Sequence, residues 1–189
     1  MYAYYTRRII LKLFKINLWH QSNFKNRDYA KFIVENANIN FKNAYLFDIG
    51  CGLAEVSSRI PCKKRFLIDT DSNIIFFLRT KYWIHRIFRK VEVHSKLQDN
   101  LLPSKKEKVL FLILNFTHNL DFHNLQKLID MCMNTTSNYV IYIDTINHEN
   151  YKFDHSQVLN SKYSHVSIKN MGTFRNGRSL WSLKPKKAK

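Results

Sequence analysis

Tyr45-Leu46-Phe47-Asp48-Ile49-Gly50-Cys51-Gly52-Leu53-Ala54-Glu55 is a short apolar run that ends in an acid and breaks into a glycine turn. The chain holds 4 glycines in 189 residues, and two of them stand here. A ligand touches backbone only where no Cβ intervenes, and a sharp turn after a strand can require positive φ; both needs select glycine. Residues 55–60 continue in a helical pattern, so the stretch reads as strand, glycine turn, helix. A dinucleotide fingerprint would place a third glycine at Glu55, and a Walker loop would end in Gly-Lys-Ser/Thr; neither is present. The turn has no basic residue for a phosphate, whereas Asp48 can accept a hydrogen bond from an ammonium group. A tight turn with nothing bound is the bland alternative.

The flanking sequence repeats the pattern. Arg65-Phe66-Leu67-Ile68-Asp69 is a second apolar run ending in an acid, and Asp71-Ser72 caps a helix expected over residues 73–88. Lys90-Val91-Glu92-Val93-His94 alternates as a short third strand. Val109-Leu110-Phe111-Leu112-Ile113-Leu114-Asn115 is continuously apolar, as a strand buried on both faces requires. Asn119 or Asp121 opens a helix through about Met133, and Tyr139-Val140-Ile141-Tyr142-Ile143-Asp144 gives a fifth buried strand. Upstream, residues 27–38 form a helix with Tyr29, Phe32, Ile33 and Ala37 inward. Downstream, residues 165–169 and 179–183 flank Asn176-Gly177 as an antiparallel hairpin. Alternating strands and helices imply an α/β fold, a doubly wound, mostly parallel, Rossmann-like sheet closed by that hairpin. Ligands bind such sheets beyond the carboxyl ends of the strands, where Asp48, Asp69, Asn115 and Asp144 fall.

The length fits one domain, expected over residues 27–183. A basic amphipathic N-terminal extension (residues 1–26) precedes it and a basic tail (184–189) follows. The composition is 45% hydrophobic and 14% aromatic, which argues against disorder. The formal net charge is +17, which suits either a solvated lysine-rich surface or a polyanionic partner. The basic N-terminus and tail are the candidates for such an anionic surface, membrane or nucleic acid. Arg7 to Trp19 reads as an amphipathic surface helix that caps the domain or lies on an anionic membrane. Lys12 and Lys15 interrupt any signal-peptide core. No apolar run is long enough to span a bilayer. Cys51, Cys62 and Cys132 form no Cys-x-x-Cys pair and stand at no zinc-finger spacing to a histidine, so neither a disulfide framework nor a metal site is expected. A cytoplasmic protein, with scope to sit at the inner membrane face, is the expectation.

Phe47-Asp48-Ile49-Gly50-Cys51-Gly52-Leu53-Ala54-Glu55 resembles the first motif of the class I S-adenosylmethionine-dependent methyltransferases, and Leu67-Ile68-Asp69 resembles their second. The resemblance covers roughly residues 27–183. It implies that Asp48 and the turn Gly50, Cys51 and Gly52 face the methionine end of the cofactor, that Asp69 faces its ribose, and that Thr70 is among the cofactor-binding residues. It places Ser95 where an adenine-side acid usually stands, and Asn115 beside the transferred methyl. The usual third glycine is Ala54, so a slightly displaced cofactor is expected. Three features are similar to small bacterial methyltransferase-domain proteins found with surface-polysaccharide genes: Arg27, Tyr29 and Lys31 at the entry; Gly-Cys-Gly-Leu-x-Glu in the turn; Asn115, His118, Asn119 and Leu120 after the fourth strand.

These residues set three expectations. The first is methylation of a hydroxyl on a sugar, glycan or small molecule, with S-adenosylmethionine as cofactor, Asn115 in the site and His118 as base or orienter. The second is a nucleic-acid methyltransferase, favoured by the charge, although the Asn-Pro-Pro-Tyr-type sequence of base methylation is replaced by Asn115-Phe116-Thr117-His118. The third is a non-catalytic binding domain on the same fold. Asp144 is expected to cap a helix, and Asp154 and His155 to fall in a lid.

Overall fold

The computed structural model describes residues 2–17, 24, 27–146, 155, 159, 163 and 166–186. Two helices come first, α1 (Tyr2–Leu13) and α2 (Asp28–Asn40). Seven strands follow: β1 (Tyr45–Ile49), β2 (Lys64–Ile68), β3 (Val91–His94), β4 (Val109–Ile113), β5 (Tyr139–Ile146), β6 (Val166–Phe174) and β7 (Arg178–Pro185). Between them lie α3 (Ser72–Lys81), α4 (Trp83–Ile87) and α5 (Phe122–Thr135).

The strands form one sheet in the order β3-β2-β1-β4-β5-β7-β6. Neighbours from β3 to β5 are parallel, and β7 runs against both β5 and β6. The α/β sheet with its antiparallel closing hairpin is as the sequence pattern implies. β1, β4 and β5 are apolar and buried along almost their whole length because helices cover both faces. One face packs Phe47, Phe66 and Phe111 against α5 through Leu125 and Ile129, with the Phe47 and Phe66 rings stacked 4.3 Å apart. The other packs Leu46, Leu110 and Leu112 against Ile33 and Ala37 of α2. In α2 the inward residues are Tyr29, Ala30, Ile33 and Ala37, with Phe32 only half-buried. A third cluster seats Leu11 and Ile16 of the N-terminal segment against Ile74 and Leu78 of α3.

The sequence reading needs correction at several boundaries. The helix expected over residues 55–60 is a single 3-10 turn, Ser57–Arg59. Ile60 is already extended and Pro61 follows, so no room remains for a longer helix before β2. The helix expected over residues 73–88 breaks at Tyr82, which is buried and takes φ −108° and ψ 20°, outside the helical range. α1 starts and stops earlier than the sequence suggests, and Trp19 lies outside the described residues. β7 takes in Lys184 and Pro185, which the sequence alone assigns to the tail, because Ser167 and Val166 lie opposite them.

Candidate functional site

The carboxyl ends of β1, β2 and β4 surround a pocket of about 650 Å³, within the range of small-molecule and cofactor sites. Its position is the switch point of the sheet, since the chain leaves β1 for β2 on one side and β4 lies on the other.

The glycine turn is held by the sheet itself. Gly50 and Cys51 N–H both donate to the Ile68 carbonyl, at 2.9 and 3.0 Å, and Gly52 N–H donates to Asp69 Oδ2 at 2.8 Å. Three consecutive backbone donors are therefore engaged within the protein, and recognition by this turn falls to side chains. Gly50 takes φ +69°. A Cβ built there would meet Phe116 Cδ1 at 2.3 Å. The space that glycine leaves open at position 50 is thus occupied by the chain's own Phe116 ring. Ala54 takes φ +56° and is wholly buried with Leu53, Ile74 and Ile75. Its methyl is a backbone cost in the left-handed region and lies in the core rather than along the pocket.

Asp48 and Asp69 face the pocket from adjacent strand ends. Asp48 is buried and accepts a hydrogen bond from Ser57 Oγ; burial pushes its carboxyl up to about 6. Asp69 also accepts from Asp71 N–H at 3.0 Å, while Asp71 caps α3 by accepting from Asn73 and Ile74 N–H. Burial and the two nearby acids push the Cys51 thiol up, which disfavours a thiolate.

Asn115 sits at φ +65°, a conformation asparagine tolerates better than most residues. Its N–H donates to Asp144 Oδ1 at 2.8 Å, and its Oδ1 accepts from Arg178 Nη2 at 2.9 Å. Arg178 forms an ion pair with the fully buried Asp144 and lies 4.7 Å over the Tyr29 ring. Asp144 therefore anchors the loop after β4 and neutralises an arginine; it caps none of the described helices. Thr117 Oγ1 donates to the Asp144 carbonyl at 2.7 Å, and His155 Nε2 lies 2.8 Å from the Thr117 carbonyl. His155 is a buried prop for that loop, and Asp154 lies outside the described residues.

Asp48, Gly50, Cys51, Gly52, Asp69, Thr70, Ser95 and Asn115 all line this one pocket. His118 does not, although Asn115, Phe116, Asn119 and Leu120 around it do. Its pKa is lowered, by burial first and then by Arg178 and His155, which favours the neutral ring. Sequence reasoning missed Arg27, Glu55 and the apolar wall of Leu97, Leu128 and Met131 as lining residues, and missed Arg178 as the cation behind Asn115. The signal for Arg178 was an acid ending a buried strand, which demands a counter-charge.

No protein-family model matches the sequence, and no curated protein matches it. Solved structures match the fold. WbdD, solved with a kinase inhibitor, superposes with a TM-score of 0.63 at 12% identity over 86% of this chain and 41% of its own. An rRNA-methylase assignment from Clostridium thermocellum gives 0.62 at 10% identity, over 84% and 96%. Magnesium protoporphyrin IX methyltransferase from Synechocystis, solved with S-adenosylmethionine bound, gives 0.57 at 11% identity, over 82% and 77%. The fold is that of the class I methyltransferases. Identities this low carry the architecture and leave the chemistry to the residues of the pocket.

Proposed function

We propose that this chain is an S-adenosylmethionine-dependent methyltransferase acting on a hydroxyl of a sugar, a glycan precursor or another small molecule. The observation that supports it most is the pair of acids, Asp48 and Asp69, that end adjacent strands on one pocket. The donor set fits the cofactor. A buried carboxyl with a raised pKa is relieved by an ammonium group, Asp69 suits ribose hydroxyls, and Leu97, Leu128 and Met131 suit a purine face. Arg27, which also lines the pocket, carries the charge that the methionine carboxylate wants, a role the engaged N–H groups of the turn cannot fill. Ser95 lines the same pocket and offers a hydroxyl for the adenine. The cofactor, when bound, supplies an electrophilic methyl on a sulfonium. The chain's part is to orient the acceptor and exclude water.

Calorimetric titration with S-adenosylmethionine and S-adenosylhomocysteine tests this reading. Asp69→Ala removes two charge-assisted hydrogen bonds, each worth roughly 1.5 to 3 kcal/mol. Unchanged affinity in that variant counts decisively against the placement. The acceptor is sought by a screen of sugars and nucleotide sugars with labelled cofactor. With an acceptor in hand, His118→Ala lowers turnover by roughly 10² to 10⁴-fold if His118 removes or orients the hydroxyl proton. Wild-type turnover makes it a structural residue of its loop. The +17 charge favours RNA as a second acceptor class. Tight binding of a defined RNA that survives near-physiological salt promotes that reading over the glycan one.

A further inference from the structure

Short helices on a sheet usually turn their apolar side inward. α4 does not: none of its residues is buried. Trp83, Ile84, Ile87 and the following Phe88 fall on one side of the helical turn, and all are exposed, Ile87 at 66% and Phe88 at 68%. Phe76 of α3 is exposed too, and its ring lies 5.7 Å from Phe14, which brings in the exposed Leu13 at the end of α1. Most of the large exposed apolar side chains among the described residues belong to these three helices.

The charge around them is mostly positive; Glu92, beside Arg86 and Arg89, is paired with Lys64 and His94. Residues 72–91 hold Arg79, Lys81, Arg86, Arg89 and Lys90 and no acid. All five are exposed. The first acid of the chain is Asp28, so α1 adds only cations.

We infer that α4, with the adjoining faces of α1 and α3, is a docking surface for an anionic lipid bilayer. Exposed tryptophan, phenylalanine and isoleucine among arginine and lysine match an interface in which rings and aliphatic chains enter the acyl boundary and cations meet headgroup phosphates. A nucleic acid answers the cations and the three exposed aromatics of this region but leaves Leu13, Ile84 and Ile87 without a partner. Among the described residues no helix is long and apolar enough to cross a membrane, so the attachment is peripheral. α4 leads into the amino end of β3, whereas the pocket opens at the carboxyl ends of the strands. α4 thus lies away from the pocket, while Asn17, just after α1, and Ile74 of α3 line it.

Flotation of the full chain with vesicles tests this directly. The chain floats with equimolar phosphatidylcholine and phosphatidylglycerol and stays behind with phosphatidylcholine alone. Trp83→Ser/Phe88→Ser and Arg86→Glu/Arg89→Glu each lower the partition by about tenfold or more, while Ile39→Ser, an equally exposed change on α2, leaves it as it was. Circular dichroism melts confirm that every variant is folded. In the unaltered chain, brominated acyl chains quench tryptophan fluorescence, and Trp83→Phe removes most of that quenching. Three results overturn the inference. One is failure to float with the anionic vesicles. Another is wild-type flotation by the Trp83→Ser/Phe88→Ser variant. The third is an RNA oligonucleotide whose binding depends on Trp83 and Phe88 while vesicles are ignored.

Discussion

The carboxyl of Asp48 is held at about 6 by burial against an ordinary value of 3.8. The folded chain thus favours the neutral acid. The stability this group contributes is fully present below the ordinary value and is lost as pH rises through about 6. Asp48→Asn is therefore expected to raise thermal stability at neutral pH, by up to roughly 3 kcal/mol, with the gain fading toward the ordinary carboxylate range. If Asp48 holds an ammonium, S-adenosylhomocysteine affinity falls as pH drops through about 6, and Asp48→Asn flattens that dependence; a pH-independent titration of the unaltered chain speaks against the contact. Arg178 and Asp144 form a largely buried ion pair. Arg178→Met leaves a carboxylate buried without its cation and is expected to cost roughly 3 to 5 kcal/mol in urea unfolding. Adding Asp144→Asn should return part of the loss, and an unshifted midpoint in the single variant would show that the pair does not hold the loop. Asp48, Asp69 and Asn115 were legible in the sequence because each closes an apolar run. Arg178 and Phe116 were not, since their partners, Asp144 and Gly50, are distant in sequence and are brought to them by the sheet.

At the scale of elements, the strands were legible and the helix boundaries less so. A buried parallel strand declares itself as a continuous apolar run, and β1, β2, β4 and β5 do so. The helix after the glycine turn carried a plausible pattern over residues 55–60 but had Pro61 close behind it, and it collapsed to one 3-10 turn. The break at Tyr82 had no glycine or proline to announce it; Thr80, Tyr82, Trp83, Ile84 and His85 are only middling helix formers. α1 shows what docking demands of a peripheral helix: Leu11 is 0% exposed and Leu13 is 73% exposed. Leu11→Ala is expected to cost roughly 2 to 5 kcal/mol, and Leu13→Ala less than about 0.5. Equal melting temperatures for the two variants would mean that α1 does not hold its place on α3.

Across the whole molecule, a single sheet separates two ends with different surfaces. The pocket and its acids lie at the carboxyl ends of the strands, and the apolar, basic helices α1 and α4 cover one flank and the opposite end. The chain order across that sheet has its own consequence. β7 is the last strand in sequence, yet it lies between β5 and β6 and brings Arg178 to Asp144 and Asn115. During synthesis, residues 45–146 emerge with β5 lacking its outer neighbour and Asp144 lacking its counter-charge. Until residues 178–185 pair with β5, the loop that carries Asn115 has its bonds to Asp144 but lacks the one from Arg178. A chain interrupted before that point therefore keeps every acid and glycine of the pocket but lacks the arginine that holds Asn115 from behind.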